Sequence, residues 1–228
     1  MSSIEIRGTF VDGECIRFAD CAKNLGVWLD NNLDFKSHIN KTVSSCFITL
    51  RNISKIKSFL PPESLNTLVT SLVTSKLDYC NALYYKIGSN EIDKLQSVQN
   101  AAIRLIFGQY KFDRLPISHL FVKIHWLKIR ERIVFKMCLI VHKCIWSIAP
   151  ESLISMTVIK NVRTYLLSEK GYTNTYGERA FSRAGPKLWN NLPLKVRMES
   201  NTDAFKKLLK SFLMSPDLHK FYERLKCK

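Results

Sequence analysis

The apolar positions change period along the chain, and each change predicts an element. Over the first thirty residues the pattern is that of β-structure. Ile4, Arg7, Phe10 and Val11 lead to Asp12-Gly13, a dipeptide suited to a type I′ hairpin because both central positions need positive φ. Residues 14–18 form the returning strand and 23–29 a third. From Phe35 the period becomes helical: Phe35, Ile39, Val43, Cys46, Leu50 and Ile53 share a face, with Asp34 as candidate N-cap. Pro61-Pro62-Glu63 ends that helix and opens another, since proline fits a first helical turn. Leu65, Leu68, Val69, Leu72 and Val73 continue it.

Residues 77–106 predict two further helices, one carrying Leu77, Cys80 and Tyr84, the other Ile92, Leu95, Val98, Ala102 and Leu105, parted by Gly88-Ser89-Asn90. After a polar linker from Gly108 to Arg114 come a short helix over 117–124 and a strong one over 128–146, with Ile129, Ile133, Met137, Ile140 and Cys144 inward. Residues 156–176 lose all sustained period and read as an irregular or weakly extended arm. A compact piece over 177–192 follows, and Ser200 with Asp203 resembles a capping box opening a final helix through Met214. The expected architecture is mainly α, with helical bundle blocks, a small N-terminal antiparallel β element and a loop-rich arm. Its segments are 1–33 (β), 34–108 (helical), 109–155 (second helical block) and 156–228 (arm and terminal helical piece).

Composition sharpens this. At 228 residues and 46% hydrophobic, the chain buries one substantial core or two small ones. Seven cysteines without paired spacing argue for reduced thiols. No apolar run marks a leader or spans a bilayer; residues 133–146 are the most apolar but are interrupted by Lys136, His142 and Lys143. An intracellular protein without a membrane partner is expected, cytoplasm and nucleus being equally open. Thirty-five Lys and Arg against nineteen Asp and Glu leave +16, which points to a polyanion.

The wording of residues 77–106, LDYCNALYYKIGSNEIDKLQSVQNAAIRLI, resembles the region downstream of the polymerase core in reverse transcriptases of LINE-type, non-LTR retrotransposons of the jockey and chicken-repeat kind. LGVWLD followed by FKSHI, and GERAFSRAGPKLWNNLP at 177–193, are similar to that family in the same order, covering roughly residues 20–214. The resemblance implies a thumb and post-thumb region that holds RNA or an RNA–DNA duplex, with the family's palm as an intramolecular partner. It also implies that Leu25 and Gly26 form a primer-grip strand; a hairpin edge with glycine at a twist point is the alternative reading. The family's chemistry needs paired aspartates bridging two magnesium ions. Phe18-Ala19-Asp20 is followed by Cys21 where a second aspartate should stand, and lies too close to Leu25-Gly26. The expectation is therefore a truncated polymerase without polymerase activity and without a cofactor, magnesium belonging only to the full-length enzyme. A helical protein-interaction or relic domain without a nucleic-acid role is the alternative.

The candidate contact residues are basic side chains beside a tryptophan: Trp126, Lys128, Arg130, Arg132 and Lys136, flanked by Lys123 and His125. Such a set can hold phosphates while an indole stacks on a base. Helical steps place Arg132 and Lys136 on one side and Arg130 about 160° from Arg132. Arg104, Arg179 and Arg183 join the set, with Lys187 also expected to be free, whereas Phe181, Trp189, Leu192 and Pro193 read as anchors. Cys138, His142 and Cys144 lack a fourth ligand at zinc spacing, so no metal site is assigned. Neither a nucleophile elbow nor a phosphate-binding glycine loop occurs.

Overall fold

Two dipeptides with positive φ set the N-terminal geometry. The computed structural model describes residues 8–109, 116–169 and 175–226. Asp12 (φ 49°) and Gly13 (φ 85°) join β1 (Gly8–Val11) to β2 (Glu14–Arg17), the hairpin that the Asp-Gly pair predicts. Leu25 (φ 45°) and Gly26 (φ 85°) repeat the same turn between β3 (Cys21–Asn24) and β4 (Val27–Asp30). Residues 23–29 are thus two strands and a turn, where one strand was expected. Leucine is a poor turn former, so period alone hid this turn. The strained Leu25 is exposed and its carbonyl accepts the Tyr79 hydroxyl at 2.6 Å.

The helical stripes hold in α1 (Lys36–Ile56) and α4 (Ser89–Phe107). Ile39, Cys46, Leu50 and Ile53 of the first pack with Ile92, Leu95, Val98 and Ala102 of the second in one core. Phe35 stands just before α1 in a left-handed conformation, its buried ring edge-on to Tyr84 at 6.1 Å. Asp34, the expected N-cap, lies one residue too early: Phe35 holds the cap position without a side-chain cap bond, and Asp34 accepts the Lys36 N–H at 3.1 Å from just outside the helix. Pro62 is the first residue of α2 (Pro62–Val69), which passes through a wider π-turn over Thr70–Thr74 into α3 (Ser75–Asp78). The helix expected around Cys80 breaks instead. Tyr79 is extended, Cys80 is left-handed (φ 52°), and a 3-10 turn over Asn81–Tyr84 follows. Leu77 and Tyr84 both reach the core through this break, so an apolar spacing of seven is satisfied without a continuous helix.

α5 (Ile117–Lys123) and α6 (Ile129–Ile145) match their patterns. α6 is buried on most of its circumference, Val134, Cys138, Val141 and His142 being as enclosed as the expected face. Next come α7 (Glu151–Ile154), then β5 (Ile159–Asn161) and β6 (Leu166–Leu167), a short hairpin where an irregular arm was expected. It is held from outside its own sequence: Asn190 exchanges hydrogen bonds with the Leu167 backbone at 2.8 and 2.9 Å, and the Trp189 indole donates to the Tyr165 carbonyl at 2.7 Å. α8 (Thr175–Arg179), α9 (Phe181–Asn190), α10 (Leu194–Arg197) and α11 (Thr202–Leu213) complete the body, with α12 (Leu218–Lys226) beyond the end expected at Met214. Asn201 caps α11 in place of Ser200, accepting from Asp203 and Ala204 at 2.9 and 3.0 Å. Gly185 lets α9 approach α6, for a Cβ there would lie 2.9 Å from Val141.

The protein is mainly helical with small antiparallel two-stranded sheets. Buried side chains from Val27 to Phe221 form one core, and Ile103, Leu120 and Phe121 a smaller one. Residues 9–20, which take in the first hairpin from Thr9 onward, are exposed throughout. Among the described residues no helix is long and apolar enough to cross a membrane.

Candidate nucleic-acid interface

A left-handed residue after α5, His125 (φ 53°), turns the chain so that Trp126 meets the start of α6. The junction is tied by polar groups. Gln99 donates to the Leu127 carbonyl at 2.8 Å, and Gln96 accepts the Ile129 N–H at 3.0 Å. Arg132 also donates to the Leu127 carbonyl, at 3.0 Å, forms an ion pair with Asp78 and lies 5.7 Å over the Trp126 ring. A cleft of about 350 Å³ opens here, lined by Asp78, His125, Trp126, Arg132, Lys136 and, from α11, Lys210. The guanidinium is engaged on three sides, while Lys136 and Lys210 are exposed.

Three of the sequence candidates, Trp126, Arg132 and Lys136, are therefore brought together. The rest are spread out. Lys128 is exposed at the cap of α6, and Arg130 lines a different cleft beside Tyr85 and Tyr222. Glu131, next to Arg130 in the chain, is pushed up from the usual carboxylate range by burial. Arg104 is half-buried in the last turn of α4, whose carbonyls accept from Gly108 and Gln109. Leu25 and Gly26 sit against the Tyr79 ring. Arg179 donates to the Leu33 carbonyl at 2.7 Å and lies 5.6 Å over Phe35; Arg183 is 3.8 Å from Glu178, which also pairs with Lys86. Lys187 is buried, so its expected freedom is corrected: α9 turns that side of the phrase inward.

A second basic cleft, of about 380 Å³, was not read from the sequence. Lys23 of β3, Lys41 of α1 and Lys76 of α3 converge on it with Trp28, His38 and Ser45. The Lys41 ammonium sits 3.1 Å from the Trp28 ring centroid and that of Lys23 6.0 Å from it. Lys76 donates to the Ser45 and Thr49 hydroxyls at 2.9 and 3.3 Å. The only local signal was Lys41 and Ser45 four apart on the polar side of α1; Lys76 arrives through tertiary packing.

The thiols and imidazole of α6 do not form a site. Cys138 is fully enclosed and its thiol is pushed far up by burial. The His142 ring stacks on Phe205 at 4.2 Å, and burial lowers its pKa. In that neutral state Nε2 donates to the Glu199 carbonyl at 3.0 Å, leaving Nδ1 buried without a partner. Among the described residues no group of three His, Cys, Asp or Glu could hold a metal ion. Asp20 is exposed and accepts from Asn31 at 3.3 Å. Compared with known proteins, the chain matches no family model, no curated protein and no solved structure.

Proposed function

We propose that this chain corresponds to the thumb and post-thumb region of a LINE-type reverse transcriptase and holds RNA or RNA–DNA duplex by its phosphate backbone, without polymerising alone. The observation that carries the binding part is the meeting of exposed Lys136 and Lys210, from two separate helices, beside Trp126. On a chain of charge +16, such a pair favours a polyanion over a neutral partner. Arg132 has a supporting part in this reading, orienting Trp126, since Asp78 already neutralises it. The test is binding of a labelled RNA–DNA duplex across a salt series, with primer extension in magnesium and nucleotides alongside. Steep salt dependence without incorporation supports the reading. Salt-independent or absent binding refutes the binding part, and templated incorporation refutes the inactive part.

One observation favours a second reading, a protein-interaction domain. Phe10, Val11 and Ile16 of the first hairpin, and Phe18 just after it, are half or more exposed, and a lone two-stranded hairpin is marginal in water. In the first reading the family's palm would cover them.

A further inference from the structure

We propose that the cleft between the β3–β4 hairpin and α1 is an oxyanion site that takes one backbone phosphate, a reading that deepens the nucleic-acid function above. The argument is one of missing countercharge. Several lysines with a carboxylate in reach pair with it: Lys36 with Asp34, Lys94 with Glu91, Lys206 with Asp203. Lys23, Lys41 and Lys76 converge from three elements, and among the described residues none forms an ion pair or faces a carboxylate in the cleft. Their partners are neutral: an indole face for two, hydroxyls for the third. Like charges gathered without an anion repel, and a bound anion removes that cost.

The geometry narrows the ligand. Ammonium groups are point charges suited to tetrahedral phosphate, and no guanidinium fork lines the cleft to favour a carboxylate. While the Ser45 hydroxyl accepts from Lys76, its own proton is available to a phosphate oxygen. Lys41 covers the Trp28 ring, so no base stacks there and the site carries no base information.

The experiment uses the full chain and an RNA–DNA duplex, comparing the salt slope of wild type with single and combined Lys23→Met, Lys41→Met and Lys76→Met. One shared phosphate predicts that the triple variant loses about 0.7–0.9 of slope, no more than one contact's worth. An unchanged slope in a wild type that binds overturns the site and leaves the wider reading standing. A loss of about 2 makes the lysines three independent contacts and also overturns it. Far-ultraviolet dichroism checks the fold of each variant. If wild type binds no duplex, the nucleic-acid reading fails, and inorganic pyrophosphate then tests the cleft alone. A saturable change in tryptophan emission, lost in Trp28→Phe and Lys41→Met, supports an oxyanion site for a small phosphorylated ligand. No such change overturns the site altogether.

Discussion

The clefts at Trp126 and Trp28 each set a cation on an indole, yet they differ in what else the cation touches. At Trp126 the guanidinium of Arg132 is closed off by Asp78 and the Leu127 carbonyl, and its neighbourhood joins α4 to α6. At Trp28 the ammonium of Lys41 has only the ring. The same contrast divides the larger body. Around α6 and α9, polar and aromatic groups are consumed in packing: Trp189 on Tyr165, His142 on Glu199, Arg197 on the Thr164 and Leu192 carbonyls. On the polar side of α1, Lys41 has no acid beside it, unlike Lys36 at the helix start, which pairs with Asp34. Basic residues beside an aromatic ring therefore serve structure or binding according to whether an acid completes the set.

The contrast is broken most forcefully at Trp189. Its ring is fully buried against Phe205, so Trp189→Ala should cost about 3–5 kcal/mol in urea unfolding. It should also free the β5–β6 hairpin, seen as faster hydrogen exchange at Leu167. A loss under about 1 kcal/mol would remove the claim that α9 organises this half. Arg132→Ala should cost about 1.5–3 kcal/mol, because a charged hydrogen-bond set at the α4–α6 junction is dismantled. Asp78→Asn, keeping shape, should cost less.

Gly185→Ala tests the helix approach. The new methyl meets Val141 at 2.9 Å, so overpacking of about 1–3 kcal/mol outweighs the improvement in helix propensity of at most about 1 kcal/mol. Adding Val141→Ala should recover part of the loss in a double-mutant cycle; strict additivity would discard the steric explanation.

The histidines give a pH signature. Burial holds His142 and His38 below the ordinary 6.5, so the unfolded chain binds protons that the folded one refuses. Their contribution to stability is complete above 6.5 and is lost as pH falls from there through the lowered folded values. His142→Gln should flatten denaturation midpoints between neutral and mildly acidic pH, separating the imidazole from the opposite effect of Glu131. Midpoints with the wild-type pH dependence would show that His142 is not desolvated. The smallest effect belongs to the other cleft. Lys41→Met and Lys76→Met should each leave stability within about 0.5 kcal/mol, since both side chains are exposed and unpaired with acid. A larger loss would place them with Arg132 as structural cations.

The chain's own pattern determined the helices that pack by a stripe. Ile39 to Ile53 and Ile92 to Ala102 alternate at helical spacing because each helix buries one face, and that demand is written locally. The Asp12-Gly13 turn was equally local, glycine being the residue that takes positive φ without strain. Other features came from contacts across long intervals. Leu25 turns without being a turn residue while the Tyr79 hydroxyl, 54 positions away, binds its carbonyl; Cys80 breaks a helix whose apolar spacing was correct. The hairpin over 159–167 has little pattern of its own, its backbone being held by Trp189 and Asn190. The chemistry divides in the same way. Sequence placed Arg132 and Lys136 on one side of a helix, but only packing brought Asp78 to the arginine and Lys210 to the lysine. Packing likewise gathered Lys23, Lys41 and Lys76 from three elements. Local periodicity records which face is buried; it carries no record of which distant side chain will neutralise a charge.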